Sequence, residues 1–305
     1  MKNTMTTRLA ALRRRLQPLW PWLRWGTAAT LALLLVLDFV FPPPLPKQRD
    51  TSTLVVAADG TPLRAFADAE GVWRYPASTD SVSPLYLQAL LTYEDRWFWR
   101  HPGINPLAIL RASGQLLRGG RIVSGGSTLT MQVARILDPH TRTPWGKLKQ
   151  MLRAVQLEVH LSKQQILALY LERAPYGGTI EGVEAASWAY LGKPAAQLSH
   201  AEAALLAVLP QAPSRLRPDR HPEAAQKARD KVLSRMAELG AWTAEEVEDA
   251  RIENVVARSL RPPLHAALLA QRLHSAHPGQ ARIQSSIDIG LQRTLEERVA
   301  SYFST

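Results

Sequence analysis

Two adjacent acids inside an aromatic-rich run carry the first chemical signal: Tyr93-Glu94-Asp95-Arg96-Trp97-Phe98-Trp99-Arg100-His101-Pro102-Gly103. A carboxylate set against aromatic surface loses hydration, its pKa rises, and it becomes able to take a proton near neutrality. On that reading one of Glu94 and Asp95 is a general base. The same residues also suit a helix end whose polar side chains lie over core aromatics, and the run alone does not choose. His101 has no second His or acid at ligand spacing, so it reads as hydrogen-bonded rather than metal-ligating.

A second signal is Ser124-Gly125-Gly126-Ser127-Thr128-Leu129-Thr130-Met131-Gln132. Paired glycines running into a hydroxyl-rich helix start would present backbone N–H groups to an anion; a plain turn with an N-cap is the simpler alternative. From Gly120 the spacing imitates a phosphate-binding loop, but Gly126 stands where that loop needs lysine, which argues against an NTPase. A third is the helix expected over 147–161. Leu148, Met151, Leu152, Val155 and Val159 are its expected buried stripe. Lys147, Gln150, Arg153, Ala154 and Glu158 lie on another side, either as a solvated face or as a wall facing phosphate.

These groups need a scaffold, and the 305 residues supply enough apolar material for one. The absence of cysteine excludes disulfides, Cys-ligated metal and a thiol nucleophile. Net charge is +11, and six positive residues with no acid precede Trp25. The adjoining segment, Trp25 to Phe41, is apolar apart from Asp38. A basic flank before such a run is expected to be a cytoplasmic tail (1–24) leading into a single transmembrane signal-anchor (25–41). That would put the N-terminus inside and everything after residue 42, from the Pro-rich linker (42–52) onward, outside. With the charge placed there and no basic-aromatic nucleic-acid motif beyond it, no nucleic acid is expected as a partner.

Thr53–Ala58 and Pro62–Ala67 around Asp59-Gly60 predict a β-hairpin, with a further strand at Val72–Tyr75. Helical periodicity then runs from Ser83 to about Gly240, including Leu85–Trp99, Leu107–Leu117, Thr128–Leu137 and Lys147–Leu161. A helical linker segment (241–279) precedes a strand over Ala281–Ile287 and a helix over Ile289–Phe303.

The run Glu94–Gly103, then SGGSTLTMQ, Lys163-x-x-Ile166-Leu167-x-x-Tyr170-Leu171, Ala185-Ala186-x-x-Ala189-Tyr190 and Leu205-x-Ala207-x-Leu209-Pro210-x-Ala212-Pro213, occurs in a fixed order. In order and spacing it resembles the peptidoglycan glycosyltransferase domain of class A penicillin-binding proteins, placed here at 53–240. The resemblance implies a mainly α, lysozyme-like, two-lobed domain. Leu107, Ile109, Leu110, Leu116 and Leu117, beside Arg111, Arg118 and Arg121, suit either the membrane-touching face of the smaller lobe or packing in the core. The resemblance implies polymerisation of lipid II into β-1,4 glycan with inversion and release of undecaprenyl pyrophosphate. Glu94 matches the general base and Arg135 the cation facing pyrophosphate, supplemented by Lys147, Arg153 and the Gly125–Thr130 helix start. Gly125, Gly126, Ser127, Thr128 and Gln132, with Asp95 and His101, complete the expected substrate-binding set. The resemblance also implies a bacterial inner membrane with the catalytic domain in the periplasm, and as partners lipid II, the nascent glycan strand, inner-membrane lipid and other cell-wall synthases.

Two residues depart from the family pattern. Gln150 stands where a second glutamate is usual, which leaves a requirement for Mg²⁺ or Mn²⁺ open. Glu172 stands where asparagine is usual. The stretch IQSSIDIGLQRTLEE resembles the opening of a transpeptidase domain, so 280–305 reads as its incomplete start. Ser-x-x-Lys, Ser-x-Asn and Lys-Thr-Gly do not occur, and no transpeptidase activity is expected. Two other functions compete: a glycan-cleaving lytic enzyme of similar fold, and a lipid II-binding remnant without turnover.

Overall fold

The computed structural model describes residues 25–303, except 27–28, 30–31, 33–34, 37, 47–51, 108–125, 142, 256 and 258–262. The chain divides into two units, Met1–Pro44 and Leu45–Thr305.

In the first unit the described positions between Trp25 and Val40 are helical. Among the described residues, however, no helix is long and apolar enough to cross a membrane. This overturns the transmembrane anchor expected over 25–41, and the single-pass inner-membrane and periplasmic placement with it. The shortfall has a physical reason: the run of seventeen residues rises only ~26 Å against a ~30 Å hydrocarbon layer, and Asp38 would put a carboxylate inside it. The basic tail over 1–24 lies outside the described residues, as does most of the candidate membrane-touching segment over 107–121.

The second unit is mainly helical with two small sheets. Its strands are β1 (Thr53–Val56), β2 (Pro62–Phe66), β3 (Trp73–Arg74), β4 (Pro175–Gly177), β5 (Ile180–Glu181) and β6 (Arg282–Gln284). The helices are α1 (Pro84–Glu94), α2 (Leu129–Leu137), α3 (Pro144–His160), α4 (Lys163–Arg173), α5 (Val183–Ala186), α6 (His200–Val208), α7 (Pro222–Glu238), α8 (Ala244–Ile252), α9 (Ala267–Ala276) and α10 (Ile289–Phe303). Ser162, Ser199 and Thr243 close capping boxes with Gln165, Glu202 and Glu246, fixing where α4, α6 and α8 begin.

The expected hairpin is present, with Asp59 accepting from the Thr61 N–H and hydroxyl at its turn. β6 adds in parallel beside β1, giving the order β2-β1-β6. Both faces of β1 are therefore covered. Leu54 and Val56 enter the main core, while Val55 and Ala57 pack with Leu63, Ala270 and Ile283 in a second, smaller one. In the main core the alanine-rich α6 is buried along almost its whole length and packs on α1 and α7.

Two helices differ from expectation. α1 ends at Glu94 instead of running to Trp99, because Asp95 leaves helical geometry (φ −156°, ψ 75°) and commits its side chain elsewhere. A short 3₁₀ turn, Phe98–Arg100, comes next and buries Phe98. α3 is turned over. Leu148, Leu152, Val155 and Val159 are exposed and Met151 is only partly buried, while Gly146, Gln150, Ala154 and Leu157 face the protein. The polar side faces inward because Gln150 and Glu158 have specific partners there, in Met131, Thr130 and Lys163.

The loop after α1 crosses α3 at Gly103, whose φ is +82°. A Cβ there would lie 2.6 Å from the Ala154 carbonyl oxygen, whereas Gly71, at φ +77°, has open space around it. Gly71→Ala is expected to cost about 1 kcal/mol for the left-handed backbone alone, and Gly103→Ala about 3 kcal/mol, since the clash adds to it. Chemical denaturation of the two variants checks this; equal losses would mean that the loop does not rest on α3.

Candidate active site

Glu94, the last residue of α1, reaches a cleft of about 790 Å³ that Ser127, Gln132, Arg135, Lys147, Gln150, Tyr170, Arg173 and Gln211 also line. Two amides orient its carboxylate. Gln132 Nε2 donates to Oε2 at 2.7 Å and Gln211 Nε2 to Oε1 at 2.6 Å. Surrounding protein pushes the Glu94 pKa up from the ordinary carboxylate range. The two amide donors oppose that rise, the adjacent Asp95 charge adds to it, and the net direction is upward.

Asp95 is buried and does not line the cleft. Its carboxylate accepts from the Leu129 N–H at 2.8 Å, in the first turn of α2, and from His101 Nε2 at 3.0 Å. Because a carboxylate only accepts, Nε2 carries the ring proton, and Nδ1 is buried with no partner among the described residues. Thr128 caps the same helix, accepting from the Met131 N–H at 3.1 Å while its hydroxyl donates to the Gly103 carbonyl at 2.5 Å. The helix start expected to receive a substrate anion is thus occupied, at Leu129 and Met131, by the protein's own Asp95 and Thr128. What α2 presents to the cleft instead is Gln132 and Arg135, one and two turns along.

On α3, Lys147 Nζ donates to Ser127 Oγ at 2.5 Å and to Gln150 Oε1 at 3.0 Å. The protein around its amine, and then the charge of Arg135, draw the Lys147 pKa below the ordinary lysine range. Arg153 is not in the cleft lining; its Nε donates to Asp138 at 3.1 Å and its Nη1 to Gln156 at 2.6 Å. Glu158 accepts from Thr130 and Lys163, each at 2.6 Å, which ties α3 to α2 and α4. Glu172 is half-buried, and burial raises its pKa, with Arg173 opposing.

The structure thus brings together Glu94, Ser127, Gln132, Arg135, Lys147 and Gln150. It places Asp95, His101, Gly126, Thr128 and Arg153 outside the lining, and Gly125 lies outside the described residues. Sequence reasoning passed over Gln211, Tyr170 and Arg173. Gln211 was the unread position within Leu209-Pro210-x-Ala212-Pro213, and no local pattern connects it to a residue 117 positions earlier.

The family described as Transglycosylase matches residues 59–237, more than half of the chain. The chain belongs to the transglycosylase family. Penicillin-binding protein 1C of Escherichia coli is 55% identical over 90% of this chain and 36% of its own length. Penicillin-binding protein 1A of Aquifex aeolicus is 37% identical over 73% and 32%, and that of Pseudomonas aeruginosa 33% over 84% and 33%. The chain spans about a third of the length of these relatives. The resemblance to class A penicillin-binding proteins holds, and the chain is an enzyme of the peptidoglycan glycosyltransferase kind.

A divalent cation fits the lining poorly. Among the described residues no group of three His, Asp or Glu could hold a metal. The cleft's two acidic side chains are engaged: Glu94 by both amides, and Glu181 by Arg74 Nε at 2.6 Å. The Gln150 amide oxygen already faces an ammonium, where Mg²⁺ or Mn²⁺ would need unengaged anionic oxygen.

A raised Glu94 pKa has a stability consequence with a definite sign. The folded value lies above the unfolded one, so the protein loses stability as pH climbs through the interval between them. Glu94→Gln removes that loss. Relative to the parent, its melting temperature should improve from about pH 4 to about pH 7, where the parent carries the buried charge. A pH-independent difference would show that Glu94 is not destabilised as a charge.

Proposed function

We propose that residues 53–240 polymerise lipid II into β-1,4-linked glycan, with Glu94 as the general base. The acceptor sugar's 4-hydroxyl attacks the anomeric carbon of the growing strand. Glu94 takes the hydroxyl proton as the new C–O bond forms, and the bond to undecaprenyl pyrophosphate breaks on the opposite face, inverting the centre. The leaving group departs with the bonding pair and gathers negative charge on its pyrophosphate, and Arg135 and Lys147 receive it.

The observation that supports this reading is that a carboxylate with raised pKa and both oxygens held by amides shares one cleft with the cations Arg135, Lys147 and Arg173. A carboxylate with raised pKa is a stronger base than an ordinary one, and positive charge at the leaving group acts where charge develops. Gln132 and Gln211 stop the carboxylate from rotating away. Family membership and the similarity to penicillin-binding proteins support the same substrate class. Partner synthases, and the nascent strand as donor, belong to this proposal too.

Incubation of the purified chain with labelled lipid II, followed by separation of polymer, tests it. Glu94→Gln is expected to lower polymer formation by about 10²–10⁴-fold while leaving lipid II binding nearly unchanged. Arg135→Ala and Lys147→Met should lower kcat/KM by about tenfold or more each. Polymer made by Glu94→Gln at the parent rate would refute the assignment of the base, and binding without any polymer from the parent would refute polymerisation.

A further inference from the structure

Gln150 is buried, and its amide meets two partners with opposite demands. Nε2 donates to the Met131 carbonyl at 2.5 Å, and Oε1 accepts from Lys147 Nζ at 3.0 Å. Neither end of the amide can be exchanged, because a carbonyl only accepts and an ammonium only donates. The position therefore requires one donor and one acceptor on a side chain of this length. A carboxylate there would set oxygen against the Met131 carbonyl oxygen, and its negative charge would pair with Lys147.

The two consequences act together at the cleft. Met131 lies on α2 one turn before Arg135, so the amide connects the backbone that carries one cation to the side chain that is the other. Being neutral, it also leaves both charges uncompensated. Lys147 makes its remaining contact with the Ser127 hydroxyl, again a neutral group.

We propose that Gln150 is a positioning residue acting through Lys147: its amide fixes the ammonium to the α2 backbone without neutralising it, so the cleft receives a pyrophosphate on Lys147 and Arg135 rather than on a bridging divalent cation. This rests on reading the cleft as the seat of a departing pyrophosphate. The glutamine is then a working alternative to an acidic residue: a carboxylate would neutralise Lys147 unless a metal took up its charge, whereas the amide leaves the ammonium able to meet an anion.

Inorganic pyrophosphate is the probe, titrated calorimetrically into the purified full chain in EDTA and then with Mn²⁺ present. The parent is expected to bind it in EDTA, with affinity changed less than about twofold by Mn²⁺. Gln150→Met, similar in shape but without donor or acceptor, and Lys147→Met should each weaken binding about tenfold, and the double variant should be no weaker than Lys147→Met alone. Gln150→Glu should weaken binding in EDTA and recover it with Mn²⁺, and electron paramagnetic resonance should show Mn²⁺ bound to that variant but not to the parent. Lys147→Met changes an exposed side chain, so it reports even if a Gln150 variant folds poorly. Parent binding that requires Mn²⁺, or losses that add in the double variant, would overturn the proposal. Lipid II turnover is measured separately, so loss of polymer with these titrations as expected would count against the polymerase reading alone.

Discussion

The buried carboxylate of Asp95 is the contact on which the site depends. It ends α1 one residue after Glu94, receives the first-turn N–H of α2 at Leu129, and holds His101 in the loop that leads to Gly103 and α3. Three elements distant in sequence are thereby registered against one another. The buried carboxylate is tolerated because its oxygens are met by a first-turn N–H of α2 and by a ring N–H. Glu94 lies next to it in the chain but lacks those partners, having only neutral amides. Adjacent acids thus acquire different tasks from their surroundings: Asp95 ties α1 to α2 and His101, and Glu94 faces the cleft with its pKa raised.

The cleft above this junction is assembled from side chains that need each other's polarity. Gln132 and Gln211 hold the carboxylate, Gln150 holds the ammonium, and Arg135 adds a second positive charge without an acidic neighbour in the lining apart from Glu94 and Glu181. Amides orient ionised groups here without cancelling them. The charges are then available to a substrate, which is what transfer from a pyrophosphate demands.

Much of this was legible in the sequence where a local rule governs. The hairpin turn at Asp59-Gly60 and the motif order that led to the family both arise from short-range patterns. Apolar periodicity misled at α3, because the burial of Gln150 and Glu158 is set by tertiary hydrogen bonds to Met131, Thr130 and Lys163 that no helical repeat encodes. Leaving those polar groups unpaired would cost more than exposing Leu148 and Val159 does. Hydropathy also misled at 25–41, where an apolar run with a basic flank reads as a span although its length falls short. The role of the glycine-rich segment changed for a similar reason: the anion at the start of α2 is Asp95, whose approach depends on the chain's tertiary path.

In the proposed reaction Glu94 works as a base because its surroundings raise its pKa and two amides hold it in place. The pH dependence of kcat/KM for lipid II polymerisation tests this most directly. An ascending limb centred above the ordinary carboxylate range, present in the parent and absent from the residual activity of Glu94→Gln, is the result the account predicts. A limb at the ordinary carboxylate position, or the same limb in both proteins, would contradict it.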